Sequence, residues 1–154
     1  APGRCASLIL ADTFAVHPDG PGIYQRSVDA SATIGMRALA EQRVGMLLGD
    51  GAPAELRRQV VETMAAIDPA AYRLGAEAVW LADLREAAAA TAVPTLVLCG
   101  EEDRVTPPAL SHELASLIAD AELQILAGAG HLANAEQPVE FNRAVDAFLA
   151  GLPQ

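Results

Sequence analysis

Two neighbouring runs decide the fold: Val93-Pro94-Thr95-Leu96-Val97-Leu98-Cys99-Gly100-Glu101-Glu102-Asp103-Arg104-Val105-Thr106-Pro107-Pro108, and then Leu123-Gln124-Ile125-Leu126-Ala127-Gly128-Ala129-Gly130-His131. Residues 95–99 and 123–126 are short, mostly apolar segments, the pattern of strands buried on both faces. Each ends in a loop that carries a group able to hold or move a proton, Asp103 in the first and His131 in the second. Between them, Leu110, Leu114, Leu117 and Ile118 recur at helical spacing. Strand, helix, strand in this order predicts a parallel pair, with both strand ends on one edge of a sheet. An acid and an imidazole presented there make a candidate His–Asp pair.

Downstream, Pro138 opens a last helix with Phe141, Val145, Phe148 and Leu149 on its apolar face, which predicts that both late helices pack on one sheet. Upstream, residues 7–11 read as a short buried strand ending at Asp12, whose expected role is a strand-end cap. The Gly- and Pro-rich residues 14–26 read as a loop. A helix is expected over 28–48, with Met36, Leu39, Ala40 and Leu47 near one face, closed by Gly49-Asp50-Gly51-Ala52-Pro53. A second is expected over 54–67, with Leu56, Val60, Met64 and Ile67 in register. Asp68-Pro69 then gives an N-cap and a first-turn proline for a helix over 70–80, and an alanine-rich helix covers 84–90. Thr106-Pro107-Pro108 reads as the same cap-plus-proline signal. The fold class is therefore α/β, three parallel strands with flanking helices. Residues 28–80 form a helical insertion between core segments 1–27 and 81–154.

Composition narrows the function. Ten basic residues against 20 acidic give a net charge of −10, which argues against nucleic acid and anionic membranes as partners. The 154 residues are 52% hydrophobic and suffice for one domain with a core. Cys5 and Cys99 have no metal-ligand spacing, and Cys99, at the end of an apolar run, is expected to be a buried reduced thiol. No apolar run approaches about 18 residues and no signal peptide opens the chain, so a cytoplasmic location is expected. The opening Ala-Pro-Gly-Arg enters an apolar run almost at once and reads like the middle of a domain.

The segment from Val93 to Pro107 resembles the acid-bearing strand and loop of the α/β-hydrolase fold. Leu126-Ala127-Gly128-Ala129-Gly130-His131-Leu132-Ala133-Asn134-Ala135-Glu136-Gln137-Pro138 resembles its histidine loop. Leu8-Ile9-Leu10-Ala11-Asp12-Thr13 resembles the strand after the nucleophile helix, and the helical insertion resembles the cap. The resemblance covers the whole chain, yet corresponds to the C-terminal part of that fold. It is nearest to 3-oxoadipate enol-lactonase-like lactonases and esterases. It implies that Asp103 orients His131 and that His131 is general base and then general acid toward a serine. It further implies a small ester or lactone as substrate and no cofactor or metal, and no phosphate loop or metal-ligand cluster is found in the sequence. Trp80 is a candidate for the acyl pocket and Arg43 for a substrate carboxylate, each weighed against simple packing or solvation. His17 and His112 are expected at the surface, and Asn134 is expected to cap or bridge near the last helix rather than react.

The nucleophile elbow, Gly-x-Ser-x-Gly, is not found: Ser7, Ser27, Ser31, Ser111 and Ser116 all lie outside such a motif. Gly3-Arg4-Cys5-Ala6-Ser7 has a similar look, but precedes a strand rather than following one. The chain alone is therefore expected to be inactive, with serine and oxyanion hole supplied by a missing N-terminal half, a second chain or a swapped oligomer. The competing reading is a non-catalytic remnant, binding module or split-chain subunit of such a hydrolase. On the same fold, haloalkane hydrolysis, C–C hydrolysis and perhydrolysis compete with ester cleavage.

Overall fold

The structure, a computed structural model, describes residues 4–152, so Gly3 of the 3–7 motif lies outside the described residues. Three strands, β1 (Leu8–Ala11), β2 (Thr95–Gly100) and β3 (Ala121–Leu126), form one parallel sheet in the order β1-β2-β3. Leu8 pairs with Thr95, and Thr95 in turn with Ala121. Every residue of β2 is buried, as its continuous apolar run requires of the central strand. The reading of a fully buried first strand is corrected: Leu8, Ile9 and Leu10 are half-buried and Ala11 exposed. Among the described residues β1 pairs on one side only, and this leaves its outer edge in solvent.

Side chains alternate across the sheet. Val97 points to one face, where it packs with Leu114 and Ile118 of α5 (Pro108–Leu117) and its end, and with Ala88 of α4 (Arg85–Ala89). Leu96 and Leu98 point to the other, against Ala144 and Phe148 of α7 (Pro138–Ala150). The period of two in β2 thus places α5 and α7 on opposite faces. Within α7 the expected Phe141, Val145 and Phe148 face the sheet together with Ala144, whereas Leu149 is 47% exposed.

Between β1 and β2 lie α1 (Gly20–Leu47), α2 (Ala54–Ala65) and α3 (Pro69–Trp80), with both α2 and α3 packed on α1. The helix begins well before residue 28, because Pro21 suits a first turn where an N–H is not needed. Gly20 fits there because any Cβ on it would lie 2.0 Å from the carbonyl oxygen of Trp80. Gly35, at φ 78°, kinks α1 partway along, and Met36, Leu39 and Ala40 beyond it are buried. In α2 no residue is fully buried: Leu56, Val60 and Met64 of the expected apolar register are half-buried, and Ile67, past the helix end, is exposed. Asp68 caps α3 as expected, accepting from the N–H groups of Ala70 and Ala71.

Candidate functional site

β2 ends at Gly100 and leads straight into the acid loop. Asp103 is 3% exposed, and all its hydrogen-bonding capacity is engaged. Oδ1 accepts from the N–H groups of Val105 and Thr106, both at 2.8 Å. Oδ2 accepts from the Thr106 hydroxyl at 2.7 Å and lies 2.9 Å from Nδ1 of His131. Burial pushes the Asp103 carboxyl up, but the bond to His131, its charge, and the Thr106 N–H and hydroxyl outweigh this and hold it below its ordinary value. An ionised Asp103 fixes Nδ1 of His131 as the N–H donor and leaves Nε2 as the basic nitrogen. Among the described residues Nε2 has no hydrogen-bond partner.

Thr106 is the residue that sequence reasoning missed at this point. Taken for a helix cap, it makes no cap to α5, and Pro107 holds that position instead. Thr106 is 2% exposed, and its hydroxyl bonds Asp103 and lies 3.2 Å from Nδ1 of His131. The signal was local: an Asp whose side chain accepts from the N–H groups two and three residues on makes an Asx turn, and Asp103-x-x-Thr106 has that spacing.

His131 follows β3 by the tight segment Ala127-Gly128-Ala129-Gly130. The two loops are packed backbone to backbone: a Cβ on Gly100 would lie 2.1 Å from the Gly130 carbonyl oxygen, and one on Gly130 would lie 2.5 Å from the Gly49 nitrogen. The end of α1 is stitched into the same place. His131 N–H donates to the Leu47 carbonyl at 3.0 Å, and Glu136 of α6 (Ala133–Glu136) accepts from both Gly130 and Gly49 N–H groups. Glu102 accepts from the Asp50 N–H, while Arg104 bonds the Gly45 carbonyl and the Asp50 carboxylate. These struts join residues far apart in the chain, and no local sequence signal announces them.

Two cavities open beside the pair, of about 400 Å³ and about 340 Å³. Both are walled by Arg43, Leu47, Trp80 and Val105, and the larger one reaches His131. Trp80 is half-buried and stacked on Phe14 at 5.6 Å. His17, expected at the surface, instead packs edge-on to Trp80 at 5.4 Å. Arg43 donates to the Tyr72 hydroxyl at 2.8 Å and to Ser27 Oγ at 2.6 Å. Arg26 is paired with Asp19 and Arg104 with Asp50, whereas no carboxylate among the described residues pairs with Arg43. The four residues singled out from sequence, Asp103, His131, Trp80 and Arg43, thus gather at one place. His112 lies exposed, as expected, and Asn134 is exposed in α6, just before the last helix.

Behind the pair, Asp12, Cys99 and Asp103 each bring one ligand-type atom within 4.8 Å of the others. This cluster is ill-suited to a cation. The oxygens of both carboxylates already accept hydrogen bonds, and burial first, then the nearby acids, push the Cys99 thiol up to about 11. Cys5 is exposed and precedes β1. No helix among the described residues is long and apolar enough to cross a membrane.

Comparison with known proteins agrees with this architecture. Residues 2–144 match the model of the alpha/beta hydrolase family. The chain is 37% identical over 78 residues to 3-oxoadipate enol-lactonase 2 of Acinetobacter baylyi, an alignment that spans 51% of this chain and 29% of that protein. The enol-lactonase of Burkholderia xenovorans LB400 superposes with a TM-score of 0.85 at 28% identity, over 96% of this chain and 57% of that one. A thermophilic esterase of Thermogutta terrifontis does so with a TM-score of 0.83 at 27% identity, over 96% and 56%. The chain spans little more than half the length of these solved relatives. With a match that runs nearly its whole length, and a three-stranded parallel sheet carrying acid and histidine on neighbouring strand ends, the chain belongs to the alpha/beta hydrolase family.

Proposed function

We propose that this chain supplies the acid, the base and the cap of a hydrolase acting on a small ester or lactone. The observation that carries this is the 2.9 Å contact of Asp103 with Nδ1 of His131, which leaves Nε2 free at the wall of a mainly apolar cavity. In the proposed reaction a serine Oγ attacks the substrate carbonyl while Nε2 takes its proton. The tetrahedral adduct collapses with C–O cleavage, and the departing alkoxide, still tethered in a lactone, receives that proton. Water then repeats the sequence and releases the acid. Asp103 keeps the imidazolium oriented throughout. Residues 28–80 serve as the cap, Trp80 as a wall of the acyl pocket, and Arg43 as the partner of a substrate carboxylate. The similarity to two enol-lactonases supports a lactone with such a group.

Because no serine here lies in an elbow motif, the reading assigns nucleophile and oxyanion hole to a segment outside these residues, in a longer or second polypeptide. The test compares hydrolysis of a nitrophenyl acetate and a small lactone by the chain alone and by the chain mixed with the elbow-bearing half of a related lactonase. Turnover in the mixture that is lost with His131→Gln is expected. An inactive mixture would overturn the catalytic reading. A His131-dependent rate from the chain alone, well above that of free imidazole, would overturn the need for a second segment.

A further inference from the structure

Asp12 has features that a simple strand-end residue does not require. It is the one non-glycine among the described residues with a positive φ, 48°, a conformation that costs free energy and persists only where the surroundings hold it. Its own N–H donates to the Leu98 carbonyl of β2 at 2.8 Å. Its carboxylate then reaches two further places: Oδ1 accepts from the N–H of Gly100 at 2.9 Å, and Oδ2 from the N–H of Ala133 at 3.2 Å. Gly100 is where β2 gives way to the Asp103 loop. Ala133 opens α6, two residues beyond His131.

The other ties between these loops act ahead of the histidine. Glu101 N–H donates to the Leu126 carbonyl and Glu102 N–H to the Ala129 carbonyl. His131 itself is bonded to Leu47, on the cap side. The bond from Ala133 to Asp12 fastens the backbone on the far side of His131, and the same carboxylate fastens the root of the acid loop. One side chain therefore joins, beyond His131, two strand-end loops whose tips must meet at hydrogen-bond distance.

We propose that Asp12 is a positioning residue for the Asp103–His131 pair, clipping the end of β2 to the start of α6 so that Nδ1 of His131 meets Oδ2 of Asp103. This rests on reading that pair as acid and base, but its test needs no turnover. The Nδ1 proton of His131, bonded to a carboxylate, gives a low-field proton resonance whose position and intensity report that bond. In the 154-residue chain, Asp12→Ala removes both acceptors and is expected to move the resonance upfield or abolish it. Asp12→Asn keeps one acceptor oxygen and is expected to rescue it in part; it also carries the test if the alanine variant fails to fold. Leu114→Ala, in the α5 contact with the sheet, lowers stability without touching the loops and should leave the resonance in place. A wild-type resonance in the folded Asp12 variants, or equal loss in Leu114→Ala, would overturn the proposal. Activity that fails in the mixture while the resonance responds as expected would count against the hydrolase reading alone.

Discussion

Replacing Asp12 by asparagine should make the protein more stable at neutral pH relative to acid, an unusual direction for the removal of a hydrogen-bonded carboxylate. Burial raises the Asp12 carboxyl from 3.8 to about 6, assisted by the charge of Asp103 and opposed by the Gly100 and Ala133 N–H groups and by His131. Its folded value thus lies above its unfolded one, so the proton favours the folded state. That contribution is complete below about pH 3.8 and is lost as the pH rises through about 6. At about 1.36 kcal/mol per unit, the ionised group costs about 3 kcal/mol when both states are deprotonated. Linkage between about pH 4.5 and about pH 7.5 leaves about 2 kcal/mol of that cost to appear. Asparagine carries no charge to desolvate and does not titrate, so the cost of an amide it leaves unpaired is the same in the variant at both pH values. The pH dependence of the comparison is therefore that of wild-type Asp12 alone. Urea unfolding of both proteins at the two pH values should therefore show the asparagine variant gaining about 2 kcal/mol on the wild type toward neutral pH. A difference independent of pH would mean that Asp12 is not a buried carboxylate with a raised value. A change of opposite sign would mean that its hydrogen bonds outweigh its burial.

Thr106→Val removes the hydroxyl bonded to the Asp103 carboxylate and should cost about 1.5–3 kcal/mol in urea unfolding, with recovery in Thr106→Ser. Gly100→Ala forces a Cβ against the backbone oxygens of Gly130 and Ala129, at 2.1 and 2.4 Å, and should cost about 2 kcal/mol or more. For a chain of this size that lowers Tm by roughly 4 °C or more in a thermal melt. In a reconstituted enzyme, Arg43→Leu should raise KM about tenfold for a lactone bearing a carboxylate, the worth of about 1.4 kcal/mol, and leave a neutral ester nearly unchanged.

What could be read from the sequence was what its local pattern determines. The apolar run 95–99 has the length and pattern of a strand buried on both faces, whereas its place between the two other strands came from the structure. Asp103 and His131 were legible because they sit immediately beyond such runs, and Asp68-Pro69 because a cap and a first-turn proline are local signals. The start of α1 was not legible. Gly20, Pro21 and Gly22 look like a loop until the Trp80 carbonyl, 60 residues away, shows why a glycine must stand there. The pattern of α2 gave the helix and its inward face but not the depth of burial, because Met64 and Ile67 line a cavity instead of a core. Asp12 was read only as a strand-end cap and Glu136 was given no role, because their distant partners are brought near only by the completed sheet and helical insertion.

Taken together, these contacts show a site assembled against local preference. Asp12 and Asp103 are two carboxylates close enough that each disfavours the charge of the other, held with Cys99 behind a single imidazole. A fold selected for stability alone would place neutral groups there, as the asparagine substitution tests. The compensation lies in the backbone. Gly100, Gly130 and Gly49 let two loops and the α1–α2 junction approach within distances that a Cβ forbids, and their N–H groups are turned toward Asp12 and Glu136. Acids thus serve as acceptors that draw three chain segments to one point. The same geometry couples the helical insertion to the pair, because His131 N–H is bonded to Leu47 at the end of α1 while Arg43, four residues earlier, faces the cavity.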